Sequence, residues 1–165
     1  MTAIVPLLPE HEAAVEALLD RVFEPGRRAR TAYKVRGQAR ALAALSFVAL
    51  DGDALAGSVQ CWPVRFAGDD GTATDLVMVG PVAVAPERQR DGLGRQLMER
   101  ALAAAAEEGL DDRLVLIGDP DYYARFFGFS AARTGGWRLP GPVEAHRLLA
   151  RGSSVPAGNG TLGPR

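Results

Sequence analysis

The stretch Val82-Ala83-Val84-Ala85-Pro86-Glu87-Arg88-Gln89-Arg90-Asp91-Gly92-Leu93-Gly94-Arg95 holds the residue types and spacing best suited to chemistry. An apolar run leads through a turn with two glycines into a helical pattern. Glycine lets a backbone approach a ligand closely. The first N–H groups of a helix have no acceptor within it and carry a partial positive charge. A turn of this build takes anions, phosphates above all. Two phosphate loops fail on spacing. A Walker loop needs Lys after its last Gly, but Arg95 follows Gly94, and Lys34 is the sole lysine of the chain. A dinucleotide fingerprint needs a small residue at position 97, where Leu97 stands.

The second stretch is Gly118-Asp119-Pro120-Asp121-Tyr122-Tyr123-Ala124-Arg125-Phe126-Phe127-Gly128-Phe129. Asp119 before Pro120 reads as a helix cap with Pro at the first helical position, and Gly128 can close the helix in the left-handed conformation. Tyr122 and Tyr123 bring phenol hydroxyls that can donate a proton; both rings can equally serve as core anchors. Glu87, Asp75, Glu144 and His146 are available as bases, but none is singled out by its pattern. Cys61 lacks a His or carboxylate pattern that would activate it and reads as a small core residue. Trp62 and Trp137 either border an acceptor pocket or pack. Arg27, Arg28, Arg30 and Arg36 either attract an acidic acceptor or form a solvated helix face.

These stretches need elements to hold them. Helical spacing predicts a helix over 10–23, with Val15, Leu18, Leu19 and Val22 on one face, and a second, more exposed one over 27–40. Strands are expected over 1–8, 45–50, 56–66 and 76–85, with Pro63 marking a bulge or an edge. A firm helix runs over 94–108, a strand over 113–117, and a helix over 122–127. Strands over 129–133 and 146–151 follow. The Gly/Pro/Ser-rich residues 152–165 read as a mobile tail. A strand, helix and strand in succession should cross over right-handedly to a parallel neighbour, while hairpins add antiparallel ones, so the sheet should be mixed.

Bulk properties bound the function. At 165 residues, 47% apolar and with net charge −1, the chain suits one soluble domain, and no nucleic-acid partner is suggested. One cysteine allows no intrachain disulfide, and no metal-ligand spacing is present, so no metal is expected. No membrane span and no secretion signal are read, which suggests a cytoplasmic location.

The pattern Gln89-x-x-Gly92-x-Gly94, preceded by a strand ending in Val84-x-Pro86 and followed by Leu97 on a helix, resembles the acetyl-coenzyme A signature of the GNAT superfamily of N-acetyltransferases. The resemblance runs from the N-terminal helices to about Arg151. It implies a single α/β (α+β) domain over 1–151, with a mixed, mostly antiparallel sheet of about six or seven strands, a central parallel pair and about four flanking helices. By the same resemblance Val82, Ala83 and Val84 line the pantetheine arm of acetyl-CoA. Gln89, Arg90, Asp91, Gly92, Leu93, Gly94 and Arg95 cradle the pyrophosphate. Tyr123, with Tyr122 as the alternate, protonates the departing thiolate. In the family's common form that Tyr lies four residues before the Gly; Tyr123 lies five before Gly128.

The activity implied is transfer of an acetyl group from acetyl-CoA to a primary amine of a small molecule or a protein, by direct attack in a ternary complex. Main-chain N–H groups near Val82 to Val84 would hold the developing negative charge. A non-catalytic acyl-CoA binding module is the alternative, and a domain keeping only the fold is a third. The acceptor stays open, as does the choice between monomer and homodimer.

Overall fold

The patterns of the sequence resolve into eight strands and four α-helices in a computed structural model, which describes residues 2–165. In chain order these are β1 Thr2–Pro6, α1 Glu12–Val22, α2 Thr31–Arg36, β2 Phe47–Asp51, β3 Ala54–Gly68 and β4 Ala73–Val84. Next come α3 Leu93–Glu107, β5 Leu114–Ile117, α4 Pro120–Phe127, β6 Trp137–Arg138, β7 Leu148–Arg151 and β8 Gly160–Pro164. The strands form one mixed sheet in the order β1-β2-β3-β4-β5-β7, with β8 pairing β3 and β6. The β4-α3-β5 crossover brings β5 parallel to β4, through Val77↔Leu114 and Met78↔Val115. Antiparallel ladders join β1 to β2, β2 to β3, β3 to β8 and β5 to β7. Of the first expected strand, Met1 lies outside the described residues.

The chain divides into two compact units, and β3 and β4 contribute residues to both. One takes the residues up to Arg27 with Ala41–Cys61 and Gly80–Glu108. Its core sets Val15, Leu18 and Leu19 of α1, one face at helical spacing, against Val48, Ala83 and Ala85. The buried stripe of α3 is Leu93, Leu97, Met98, Ala101, Ala104 and Ala105. Gly57 permits the approach of α3, since a Cβ there would meet Leu97 Cδ1 at 2.9 Å. The other unit takes Arg28–Arg40, Trp62–Val79 and Gly109–Arg165. Val35, Val64, Phe66, Leu76, Leu114, Leu148 and Leu162 are buried in it.

Several expectations need correction. Residues 152–165 are not a loose tail: β8 pairs with Val64–Gly68 of β3, and Val155 and Leu162 are buried. The segment is tied down at its start. Ser154 N–H donates to the Asp112 carbonyl at 2.9 Å and its hydroxyl to Asp112 Oδ2 at 2.5 Å, while Arg133 Nη1 donates to the carbonyls of Gly152 and Val155. Gly152, at φ +120°, lies against the Asp112 backbone where any Cβ would overlap it. The Arg113 guanidinium and then the Ser154 hydroxyl hold the Asp112 carboxyl down at about 2. A lowered folded value means that this clasp is at full strength above the ordinary carboxylate range and is lost as pH falls towards 2. Composition concealed the segment because two apolar side chains suffice where a strand edge is open for pairing. Leu162→Ala is expected to lower stability by about 2–4 kcal/mol in urea denaturation, as for other fully buried leucines.

β6 and β8 also raise the strand count above the expected six or seven. Residues 129–133 form no strand; Ser130 makes a single bridge with Ala150, and turns follow. Of 146–151, only Leu148–Arg151 is a strand, preceded by a 3-10 turn over Ala145–Arg147. The basic stretch 27–40 is not one long helix and is exposed only in part, at Arg28, Arg30, Lys34 and Arg40 among others. It breaks into a 3-10 turn, Arg27–Ala29, and α2, with Val35, Arg27 and Arg36 buried. Pro63 falls between the β2 ladder, which ends at Val59, and the β8 ladder, which starts at Val64, so this side of β3 is an open edge there, as its missing N–H requires. The β2–β3 ladder has an irregularity between Ala49 and Leu50. Among the described residues no helix is long and apolar enough to cross a membrane.

Candidate functional site

β4 ends at Val84, and the chain passes through Ala85, a 3-10 turn over Pro86–Arg88 and Gln89 before α3 begins at Leu93. Backbone bonds set this path: Ala85 N–H to the Ala56 carbonyl at 2.8 Å, Arg88 N–H to that of Ala85 at 2.8 Å, and Asp91 N–H to that of Arg88 at 3.2 Å. Gly92 is the N-cap of α3, in the left-handed region at φ +77°, where a side chain is disfavoured. It offers no side-chain cap, and the first turn of α3 carries no acid. The first N–H groups of α3 therefore have neither an internal acceptor nor a capping anion in that turn. A Cβ on Gly92 would meet nothing within 4 Å, and one on Gly94 would meet only Val84 Cγ2, at 3.6 Å. Open space thus lies over the turn.

The expected cofactor residues divide by what they can offer. The Ala83 side chain is buried in the core, as is that of Leu93, leaving both with backbone groups alone. Val82 and Val84 are half-buried. Gln89 Nε2 donates to the Val84 carbonyl at 3.3 Å and so braces the strand end. Arg95 pairs with Glu99 at 3.0 Å, one turn along α3. Arg90 is exposed and makes no ion pair among the described residues. Arg88, which the sequence pattern passed over, bonds Asp91, Asp51 and Thr2 at once. Its spacing of three from Asp91 was visible in the sequence. The other two partners come from β1 and β2.

In α4 the Asp119 carboxylate accepts from Asp121 N–H at 3.0 Å and Pro120 opens the helix, as read from the sequence. Gly128 closes it at φ +71°. The helix closes in the usual pattern of a left-handed glycine: Gly128 N–H donates to the Ala124 carbonyl at 3.3 Å and Phe129 N–H to that of Tyr123 at 3.2 Å. The Tyr123 ring lies on Gly118, where a Cβ would meet its Cε2 at 2.5 Å. It packs edge-on to Tyr122 at 5.0 Å and to Phe129 at 6.3 Å. Burial, then the Tyr122 and Asp119 charges, push its pKa above the usual 10, against an opposing pull from Arg147. Tyr122 faces Phe126 and Phe127 as well.

Other candidates are largely accounted for. Cys61 is buried and its thiol is pushed up to about 12 by that burial, which removes it as a nucleophile. Glu87 pairs with Arg21, Asp75 with Arg65 and Arg165, and Glu144 with His146. The arginines of the basic stretch do not form one solvated face. Arg27 is buried against Glu16 and Asp20, and Arg36 stacks on the rings of Tyr33 and Trp62 at 3.7 and 3.8 Å. Trp137 stacks on Phe66 at 4.4 Å. Ser58 Oγ and Gln60 Oε1, two residues apart on β3 and hence on one face, are buried without a hydrogen-bond partner. No pattern in the sequence singled them out. Among the described residues no three His, Cys, Asp or Glu side chains gather as a metal site.

Residues 12–129 match the sequence model described as the Acetyltransferase (GNAT) family. The chain belongs to this family. It is a GNAT acetyltransferase by both sequence and fold. A GNAT family acetyltransferase from Brucella melitensis, in complex with acetyl-CoA, is 25% identical with a TM-score of 0.70, over 97% of this chain and 94% of that one. The GNAT family N-acetyltransferase YhbS from Escherichia coli, in complex with CoA, is 25% identical with a TM-score of 0.75, over 99% and 89%. The ribosomal-protein-S18-alanine N-acetyltransferase from Escherichia coli, 21% identical with a TM-score of 0.56 over 91% and 90%, shares the fold. No match was found among curated protein sequences. The GNAT match spans the β4–α3 turn and α4, and ends before β6, β7 and β8. Val82 to Arg95 gather in the first unit, and Tyr122 and Tyr123 lie in the second.

Proposed function

We propose that this chain transfers the acetyl group of acetyl-CoA to a primary amine of a small molecule or a protein, in the cytoplasm. The observation that carries the reading is the β4–α3 turn: a family-typical glycine pair, with open space where a side chain on Gly92 would stand, opening a helix whose N-terminal N–H groups are uncapped. These groups fit a pyrophosphate, with Arg90 free to add a charge-assisted contact. Backbone groups of Val82 to Val84 hold the pantetheine arm and the developing negative charge, a role that needs no side chain and so suits the buried Ala83. Acetyl-CoA supplies an activated acyl group, so the chain needs no covalent nucleophile, and the inert Cys61 agrees with that. Tyr123 donates a hydrogen bond to the departing sulfur. No carboxylate of this chain is assigned as base: Glu87 and Asp75 are already paired with arginines, and water carries the amine proton.

The test has two arms. Millimolar coenzyme A should raise the melting temperature of the chain, as any ligand that binds only the folded state must. Incubation with acetyl-CoA and a panel of primary amines should release free thiol with at least one acceptor. A thermal shift with no release on any amine or peptide would favour a binding module. No shift at all would remove the cofactor reading altogether.

A further inference from the structure

We propose that Arg88 is a positioning residue that keeps the Asp91 carboxylate from opposing an anion at the β4–α3 turn. The inference rests on the pyrophosphate reading of that turn. Asp91 immediately precedes Gly92, so its carboxylate, once released from Arg88, lies within a residue of the uncapped N–H groups of α3, to which any anion is drawn. A free carboxylate there would compete with a bound phosphate for those groups and repel it. Arg88 prevents both. Its Nε donates to Asp91 Oδ2 at 2.5 Å, Nη1 to Asp51 Oδ2 at 2.8 Å and Nη2 to Thr2 Oγ1 at 2.8 Å. The fork thus engages Asp91, in a charge shared with Asp51, and holds its carboxylate towards the ends of β1 and β2. Three acceptors around one planar guanidinium fix its direction, as a single flexible ammonium would not. Arg21 and Glu87, the ion pair nearest in sequence, satisfy each other at 2.8 Å and leave this arrangement to Arg88.

The test is a double-mutant cycle on the full chain, with Arg88→Ala, Asp91→Asn and the pair, read as the dissociation constant for coenzyme A by calorimetry and as kcat at saturating acetyl-CoA. Arg88→Ala is expected to weaken coenzyme A by about tenfold while kcat stays within about twofold. The pair Arg88→Ala with Asp91→Asn is expected to recover to within about threefold of the parent, since the charge that Arg88 masked is gone. Raising the ionic strength should shrink the Arg88→Ala deficit, because screening acts over about 10 Å at 0.1 M salt. Arg88→Gln, which keeps a polar side chain without the charge, should repeat the weakening and the rescue if the Ala variant folds poorly. A double variant as weak as Arg88→Ala, or an Arg88→Ala chain that binds like the parent, overturns the proposal while leaving the pyrophosphate site standing. A parent chain that binds no coenzyme A overturns both.

Discussion

Tyr123→Phe is expected to lower turnover by about 10²-fold while the dissociation constant for coenzyme A is unchanged. Only the hydroxyl is removed, and the ring keeps its seat on Gly118 and its contacts with Tyr122 and Phe129. A phenol titrates near 10 and a thiol near 8.5, so complete proton transfer is uphill by roughly 2 kcal/mol at reference values. Burial raises the Tyr123 pKa further, which strengthens its role as a hydrogen-bond donor that parts with its proton late. The sign of the shift has a consequence for pH. The neutral phenol is favoured in the fold, so its contribution to stability is present below pH 10 and lost as pH rises through the higher folded value. The hydroxyl therefore remains protonated, and no fall in kcat from its ionisation is expected between about pH 8 and pH 9. Thiol release across that range, with calorimetry for affinity, checks each part. Tyr122→Phe is the control. If it abolishes turnover and Tyr123→Phe does not, the roles of the two tyrosines are reversed. Gly118→Ala should act in the same direction as Tyr123→Phe, because the added Cβ displaces the ring rather than the hydroxyl alone.

Gly92→Asp is expected to weaken coenzyme A by about 10²-fold or more without a matching loss of stability. An Asp at an N-cap accepts from the helix N–H groups and suits the helix dipole, so α3 gains a cap. Asp also tolerates φ +77° better than most residues do. The same carboxylate then fills the anion site with a fixed negative charge. Cofactor affinity and folding stability should thus part company, which a merely structural role for Gly92 would not allow. Calorimetry with coenzyme A and urea denaturation of the same variant measure the two quantities. Equal loss of both would refute the anion-site reading of the turn.

Both predictions concern features that local sequence already specified. The glycine pair at 92 and 94, the cap at Asp119, the Pro at 120 and the closing Gly128 act on residues within one turn, and each appears in the fold where the sequence put it. The helical stripes of α1 and α3 were equally legible, because 3.6-residue spacing records which face is buried. Weaker signals failed for identifiable reasons. The 129–133 stretch has strand-like residues but only the Ser130–Ala150 bridge to pair with, and propensity without a partner makes no strand. Within the basic stretch over 27–40, Arg27 and Arg36 looked solvent-facing because charge was counted without its partners. Glu16 and Asp20 lie a helix away, and the rings of Tyr33 and Trp62 accept the Arg36 guanidinium.

The amino-acid sequence alone determined the strand–turn–helix that opens α3, its likeness to an acetyl-CoA signature and the position of Tyr123 from its cap, since each depends on neighbours in the chain. Tertiary structure decided the rest. It recruited Gly160–Pro164 as a strand along β3, turned the Ala83 side chain into the core, and gathered Thr2, Asp51 and Asp91 around Arg88. Those outcomes rest on pairing and burial between residues far apart in sequence. Their stabilisation comes from edges, faces and charges that exist only once the sheet has formed.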